Sequence, residues 1–352
     1  MAVGKVGTAS KTLVQVKKEE MPGFIGQLLK EYLVIGPVAK EGSYVFTWIE
    51  TPAEVCMEYD TTVLPPKKMF HPPLQTMFSF NGEGMTAAEE PERRQIGREL
   101  WGAEGLRTEV PEKRALLFAV HPCDVNSFLI LDRVYGGEFA DPYYLTHREN
   151  TLVIGLNCTE VRENCFCQSF ETGPDLKEGY DLLLTDLGEE YLIETGSAEG
   201  EEILAGLELS PAPRVLLLEK EKRLDEARRS FKKHLCQEGL EKVLQEKFYD
   251  HLWEELGEKC FGCGSCTTVC PTCFCYSVVD QLDLTLRNGW RERVWDSCLL
   301  LEYAAVALGG NFRPERSARI KQRLYHKLAY FAEQFGTVGC VGCGRCITNC
   351  IV

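Results

Sequence analysis

Two stretches of this chain, Ala115–Val120 and Thr151–Leu156, are almost continuously apolar over the length of one strand. Runs this short and this unbroken predict strands covered on both faces. The first leads into His121-Pro122-Cys123-Asp124 and then a helix-like Val125–Tyr135; the second leads into Asn157-Cys158. Buried strands alternating with helices predict a parallel or mixed sheet with helices on both sides. Around this centre, Gly23–Tyr32 reads as a short helix, and Leu33–Val38 and Tyr44–Ile49 as apolar strand stretches. Tyr180–Thr185 and Glu190–Glu194 read as a hairpin across Gly188, and Val215–Leu218 as one more strand. Residues 1–20 are polar and mixed in charge, an arm or a first strand. Leu64-Pro65-Pro66-Lys67-Lys68 and His71-Pro72-Pro73 must be extended or turn, because proline restricts its own φ and the residue before it. Thr86–Trp101, rich in Glu and Arg, reads as a solvated surface helix or loop.

From Glu221 to Glu258 apolar residues recur at helical spacing among Lys and Glu, which predicts two amphipathic helices. Beyond them the pattern turns helical again at Ser297–Leu308 and Glu315–Gln334, on either side of Gly309-Gly310-Asn311. The expected organisation is an α/β domain with a mixed sheet over 1–218, a helical connector over 219–258, and a C-terminal domain over 259–352 carrying a helical insert at 277–335. A length of 352 residues fits about two domains.

Net charge is −14, from 53 acidic against 39 basic residues. That balance opposes nucleic-acid binding, which needs a basic face, and docking on an anionic membrane surface. No apolar run approaches the roughly 18 residues of a membrane span. The expected compartment is a reducing cytoplasm, since the N-terminus does not resemble a signal peptide. Charge changes the picture at one place: Arg313, Arg316, Arg319, Lys321, Arg323 and Lys327 make the insert the most basic stretch of the chain. The plain reading is a solvated helix face. The functional one is a docking or cluster-tuning surface, because positive charge near an iron–sulfur cluster favours its reduced form.

Seventeen cysteines are many for this length, and eight of them form a repeat. Cys260-x2-Cys263-x2-Cys266-x3-Cys270-Pro271 recurs as Cys340-x2-Cys343-x2-Cys346-x3-Cys350, 69 residues (271–339) separating the two runs. This is the spacing with which two-cluster ferredoxins hold a pair of 4Fe–4S cubanes. Three thiolates wrap one cubane, and the fourth reaches the other. The expected sets are Cys260, Cys263, Cys266 with Cys350, and Cys340, Cys343, Cys346 with Cys270. Gly262, Gly264, Gly342 and Gly344 lie between ligands, where amides approach sulfur and positive φ is often required. Structural zinc would want two CxxC knuckles around one ion, and disulfides an oxidising compartment. Both fit poorly.

Four more cysteines, Cys123, Cys158, Cys165 and Cys167, fall at strand-to-helix junctions of the α/β part. Adjacent parallel strands would bring Cys123 and Cys158 together, and the Cys165-Phe166-Cys167 loop can fold back on them. Such a set suits a third cubane or a zinc, with Asp124 as an alternative ligand; the plainer reading is four small buried hydrophobes. Cys273, Cys275 and Cys298 are expected near a cubane without ligating it; Cys56 and Cys236 read as lone thiols, and the six histidines show no ligand spacing. No dinucleotide fingerprint, P-loop or nucleophile elbow is present, so no catalytic residue is assigned.

Several phrases together are specific: Thr62-Val63-Leu64-Pro65-Pro66-Lys67-Lys68, His121-Pro122-Cys123-Asp124, Asp141-Pro142-Tyr143-Tyr144, Cys165-Phe166-Cys167, Trp295-Asp296-Ser297-Cys298 and Cys340-Val341-Gly342-Cys343-Gly344-Arg345-Cys346. Across nearly its whole length the chain resembles the iron–sulfur beta subunits of cytoplasmic sulfhydrogenases and the A subunit of anaerobic sulfite reductase. It departs from that pattern at His121, where arginine is common, and at Ile351, where proline is common. The resemblance implies an electron-transfer subunit. One neighbour would be a flavin-bearing, NAD(P)-binding reductase-like subunit. The other would be a nickel–iron hydrogenase, sulfite reductase or heterodisulfide reductase subunit. Flavin is expected on the partner and not on this chain. The alternatives are a free-standing iron–sulfur oxidoreductase with its own flavin or substrate site in the N-terminal domain, and a zinc-stabilised scaffold.

Overall fold

The computed structural model describes residues 11–81 and 113–352, together with the backbone of the strand Gly84–Ala87. In chain order the strands are β1 (Leu13–Lys17), β2 (Leu33–Lys40), β3 (Ser43–Trp48), β4 (Leu74–Asn81), β5 (Gly84–Ala87), β6 (Ala115–Val120), β7 (Thr151–Leu156), β8 (Leu182–Asp186), β9 (Glu190–Thr195), β10 (Ser210–Pro211), β11 (Tyr276–Leu282) and β12 (Asn288–Trp295). Two compact units emerge: Met1–Lys67 with Val110–Leu235 and Val341–Arg345, and Lys68–Glu109 with Cys236–Cys340 and Cys346–Val352.

The first unit is built on an eight-stranded sheet of order β10-β1-β9-β8-β7-β6-β2-β3. Its centre, β2-β6-β7-β8, is parallel, and the flanking strands are antiparallel. All six residues of β7 are buried, as expected for a strand covered on both faces. The helix Met21–Glu31 docks through Met21, Phe24, Ile25 and Leu28, a stripe at helical spacing. Each of those side chains contributes roughly 1.5–3 kcal/mol relative to exposure. The helix Pro122–Tyr135 begins with proline in its first turn, where the missing N–H costs nothing, and buries Val125, Phe128 and Leu131.

The second unit contains the antiparallel sheet β11-β12-β4-β5 and a helical layer. Helix Leu252–Lys259 crosses helix Arg316–Tyr325 at a glycine. A Cβ on Gly257 would lie 2.8 Å from the backbone nitrogen of Ser317. Leu244, Trp253, Tyr325 and Ala329 form the apolar centre beside this crossing. The second helix continues through one turn of π-helix, His326–Tyr330, into Phe331–Phe335.

Three expectations are corrected. The insert 277–335 is not wholly helical: its first part is the β11–β12 hairpin. Charges there pair across strands, Arg291 with Asp280 through two bonds of 2.7 Å, and Asp283 closes the turn through Thr285 and Asn288. Ser297–Leu308 holds only short 3-10 turns at Glu302–Ala304 and Ala307–Gly309. Val215–Leu218 opens the helix Arg214–Arg229 rather than a strand. The division into units also follows a different line from the boundaries at 218 and 258. Beyond Ala87, the Thr86–Trp101 segment lies outside the described residues.

Candidate metal centres

In the first unit, β6 and β7 run parallel side by side, so their C-terminal ends bring Cys123 and Cys158 to one sheet edge. The strand register slips between Leu117 and Val120, and Ala119 takes a left-handed φ of 58°. Bulges of this kind re-aim the residues that follow. Here His121 leaves the strand to stack flat on Tyr59, with ring centroids 4.1 Å apart. Tyr59 in turn donates to the Ala119 carbonyl at 2.7 Å.

Cys123, Cys158, Cys165 and Cys167 line one cleft of about 470 Å³, together with Tyr59, His121, Asn157 and Arg162. All four reach the cleft from the strand-to-helix junctions and the loop that follows them. Burial raises the Cys123 and Cys158 thiols well above the ordinary range, Cys158 being raised further by the neighbouring Cys167 and Cys165. Burial likewise raises Cys165, and pushes Cys167 up to about 12. Thiols in such a place ionise only against a compensating cation, as metal ligation provides. Gly173 makes room for one of them: a Cβ there would stand 2.8 Å from the Cys167 sulfur. Among the described residues, no group of three or more His, Cys, Asp or Glu closes around a single ion.

Asp124 does not face this cleft as a spare ligand. Its carboxylate, wholly buried, receives both arms of the Arg345 guanidinium at 2.7 Å each. Arg345 also donates to the Thr62 carbonyl at 2.9 Å. His121, in turn, brings no charge: burial, with Arg345 and Arg162 nearby, pulls its pKa down to about 3. The segment Val341–Arg345 is pinned to the cysteine loop as well. Phe166 N–H donates to the Gly342 carbonyl at 2.8 Å, and the Thr172 hydroxyl donates to the Val341 carbonyl at 2.8 Å. The Cys165 thiol reaches the Cys343 carbonyl at 3.8 Å, and Cys343, itself buried, is an electrostatic neighbour of Cys123.

In the second unit the first cysteine run has the local geometry of a ligand loop. Gly262 and Gly264 have φ of 70° and 76°, matched in the second run by 61° and 73° at Gly342 and Gly344. Gly262 N–H points at the Cys260 sulfur at 3.3 Å. Each run then opens a short helix, Ser265–Thr268 and Arg345–Thr348. Cys266 has Cys346, Cys260 and Cys270 as electrostatic neighbours, and Cys346 has Cys270, its companion in the expected ligand set. Cys263 and Cys350 are exposed. Burial raises Cys266 and Cys346. A hydrogen bond from Cys273 lowers Cys270 well below the ordinary thiol range, assisted by Lys327 and Arg323. Cys275 is lowered to about 6 by a hydrogen bond from Cys298, with Tyr303 adding another.

The basic helix is not a solvated face. Arg319, Arg323 and Lys327, four residues apart, are 7%, 9% and 6% exposed. Arg323 donates to the Cys266 carbonyl at 2.7 Å, yet its buried Nε has no hydrogen-bond partner among the described residues. Its charged neighbours are the sulfurs of Cys273, Cys266, Cys270 and Cys346. A buried guanidinium set among thiols fits an anionic metal–thiolate group: four thiolates around a 2+ cubane core leave a net negative charge.

Residues 259–352 match the family model of the 4Fe–4S dicluster domain. Over 339 residues the chain is 34% identical to the sulfhydrogenase 2 subunit beta of Pyrococcus furiosus, covering 96% of this chain and 94% of that protein. This chain belongs to the sulfhydrogenase beta-subunit family. The iron–sulfur character read from the paired cysteine runs therefore stands. No helix among the described residues of this family member is long and apolar enough to cross a membrane. Reasoning from sequence alone missed Arg345 as the partner of Asp124 and Thr62 as the further partner of Arg345, although all three lie within the phrases that carried the resemblance.

Proposed function

We propose that this chain is an iron–sulfur wire of a multi-subunit oxidoreductase, relaying single electrons between a flavin- and NAD(P)-binding reductase-like subunit and a catalytic subunit of hydrogenase, sulfite reductase or heterodisulfide reductase type. The observation that carries the reading is the paired cysteine run with matching left-handed glycines in both copies. When bound there, 4Fe–4S clusters supply one-electron exchange. One cubane takes Cys260, Cys263, Cys266 and Cys350; the other takes Cys340, Cys343, Cys346 and Cys270. The chain's own residues present thiolates, turn the loop backbone toward sulfur, and exclude water with the buried helix. The four-thiol cleft of the first unit is read as a third cluster site, which its shared lining and the glycine clearance at Cys167 support.

Anaerobic purification tests this reading. Brown protein with about eight irons, or about twelve with the third site filled, is expected at four per cubane, together with a flavoprotein in the native complex. Two or three irons per chain would contradict it. A solitary chain that carries flavin and turns over a substrate would instead favour the free-standing oxidoreductase.

A further inference from the structure

The helix that runs through Arg316–Tyr325 and the π-turn His326–Tyr330 carries three buried cations, and they are not equivalent. Arg319 spends its donors on neutral carbonyls: Nε on Leu299 at 2.9 Å, and Nη1 on Arg313 at 3.1 Å and on Pro314. Its guanidinium sits against the first cysteine loop, 3.6 Å from where a Gly262 Cβ would be. Lys327 is fixed by the Thr272 hydroxyl and the Gly339 carbonyl, both at 2.8 Å, and Thr272 in turn donates to Gly339 at 2.7 Å. The ammonium is thus held in place by neutral groups, with the Cys270, Cys273 and Cys340 thiols beside it. Arg323 donates to the Cys266 carbonyl and has the Cys273, Cys270 and Cys346 thiols as neighbours, its Nε without a partner among the described residues. The π-turn places Lys327 off the regular helical ladder, as such turns do at functional positions.

A fixed cation in a low-dielectric site lowers the energy of any state that adds negative charge beside it. We propose that Arg323 and Lys327 set the electron affinity of the cubane bound through Cys270, Cys340 and Cys346, and make it the first of the C-terminal pair to be reduced. Lys327 bonds the Gly339 carbonyl beside Cys340 and the Thr272 hydroxyl beyond Cys270, and has the Cys270, Cys340 and non-ligand Cys273 thiols as neighbours; Arg323 has Cys270 and Cys346 of that set beside it, hydrogen-bonds the Cys346 sulfur, and touches the other set at Cys266. The cation beside the other loop, Arg319, aims Nε and Nη1 at the carbonyls of Leu299, Arg313 and Pro314 rather than at a sulfur. Electrons entering the pair therefore collect on the Lys327 side. The inference rests on the two-cluster reading above.

Redox titration of the anaerobic protein, followed by electron paramagnetic resonance, tests it in Lys327→Gln, Arg323→Gln and Lys327→Arg. The two glutamine variants should keep their iron and shift the first-reduced signal at least tenfold in its reduction equilibrium, toward lower potential; tenfold is 59 mV for one electron. The arginine variant should stay near the parent. Full iron with unmoved midpoints in both glutamine variants overturns the proposal. If those variants lose iron, a ligand substitution in the parent decides instead. Cys346→Ser should alter the first-reduced signal and Cys260→Ser should not, and the reverse pattern overturns the proposal. Absence of paramagnetic iron from the parent would sink the two-cluster reading itself, a separate outcome.

Discussion

Arg345 and Asp124, 221 residues apart in sequence, face each other through two bonds of 2.7 Å with side chains 1% and 0% exposed. Both charges have left water, so their pairing largely offsets a desolvation cost rather than adding net stability. Removing one partner strands the other. Asp124→Asn should cost about 3–5 kcal/mol in denaturant unfolding, while Asp124→Leu with Arg345→Met should recover much of the loss. Iron content offers a second readout. If Asp124 were a ligand, the double variant would lose iron in step with that site; the ion pair predicts that it does not.

The four-thiol cleft makes its own prediction. Cys158→Ser should remove about four irons per chain and leave the signals of the C-terminal pair unchanged. Unaltered iron and spectrum would return these cysteines to the role of small buried side chains. Gly173→Ala should act in the same direction, because its added methyl would press on the Cys167 sulfur at 2.8 Å.

Lys68 carries a pH signature. Burial lowers its pKa from 10.5 to about 8. The unfolded chain therefore holds more protons than the folded one between those values, and stability rises with pH across that window. The charged ammonium is a liability at neutral pH, of at most ~3 kcal/mol. Lys68→Met should raise the urea midpoint at pH 7 and flatten the alkaline rise. A parent and variant that keep the same difference from pH 7 to pH 11 would show that burial is not what perturbs this lysine.

The centre of the first unit was legible because two of its strands are apolar on both faces over six residues: Ala115–Val120 and Thr151–Leu156 coincide with β6 and β7. The β11–β12 hairpin was not legible. Its cross-strand charges, Asp280 and Arg291, and its exposed Val278 and Val279 carry no alternation that marks a strand, and its partner β4 lies some two hundred residues upstream. Val215–Leu218 misled because four apolar residues are too few to separate a strand from a helix start. The iron–sulfur character of the paired cysteine runs was legible from spacing alone. The cations were visible only as charge: a helical wheel does not say that Arg323 and Lys327 point inward, since only the thiols around them make burial affordable.

The crossing of Leu252–Lys259 over Arg316–Tyr325 is tested by Gly257→Ala. The new methyl meets Ser317 backbone at 2.8 and 2.9 Å, and backbone cannot rotate away as a side chain can. Overpacking of this kind costs typically about 1–3 kcal/mol. Thermal unfolding should register it, and a melting point equal to the parent's would show that the helices part without penalty.

The segment Val341–Arg345 supplies two glycines, a cysteine and the arginine of the second motif, yet its close neighbours are Asn164, Phe166, Cys167, Thr172, Thr62 and Asp124. A cassette cut out at residue 259 and grafted elsewhere would arrive with an orphaned guanidinium and a loop shorn of its backing. What looks like a portable ferredoxin over residues 259–352 is, in its second half, a piece of the α/β sheet's own upholstery, and recombination that shuffles the one without the other should yield chains that cannot mature.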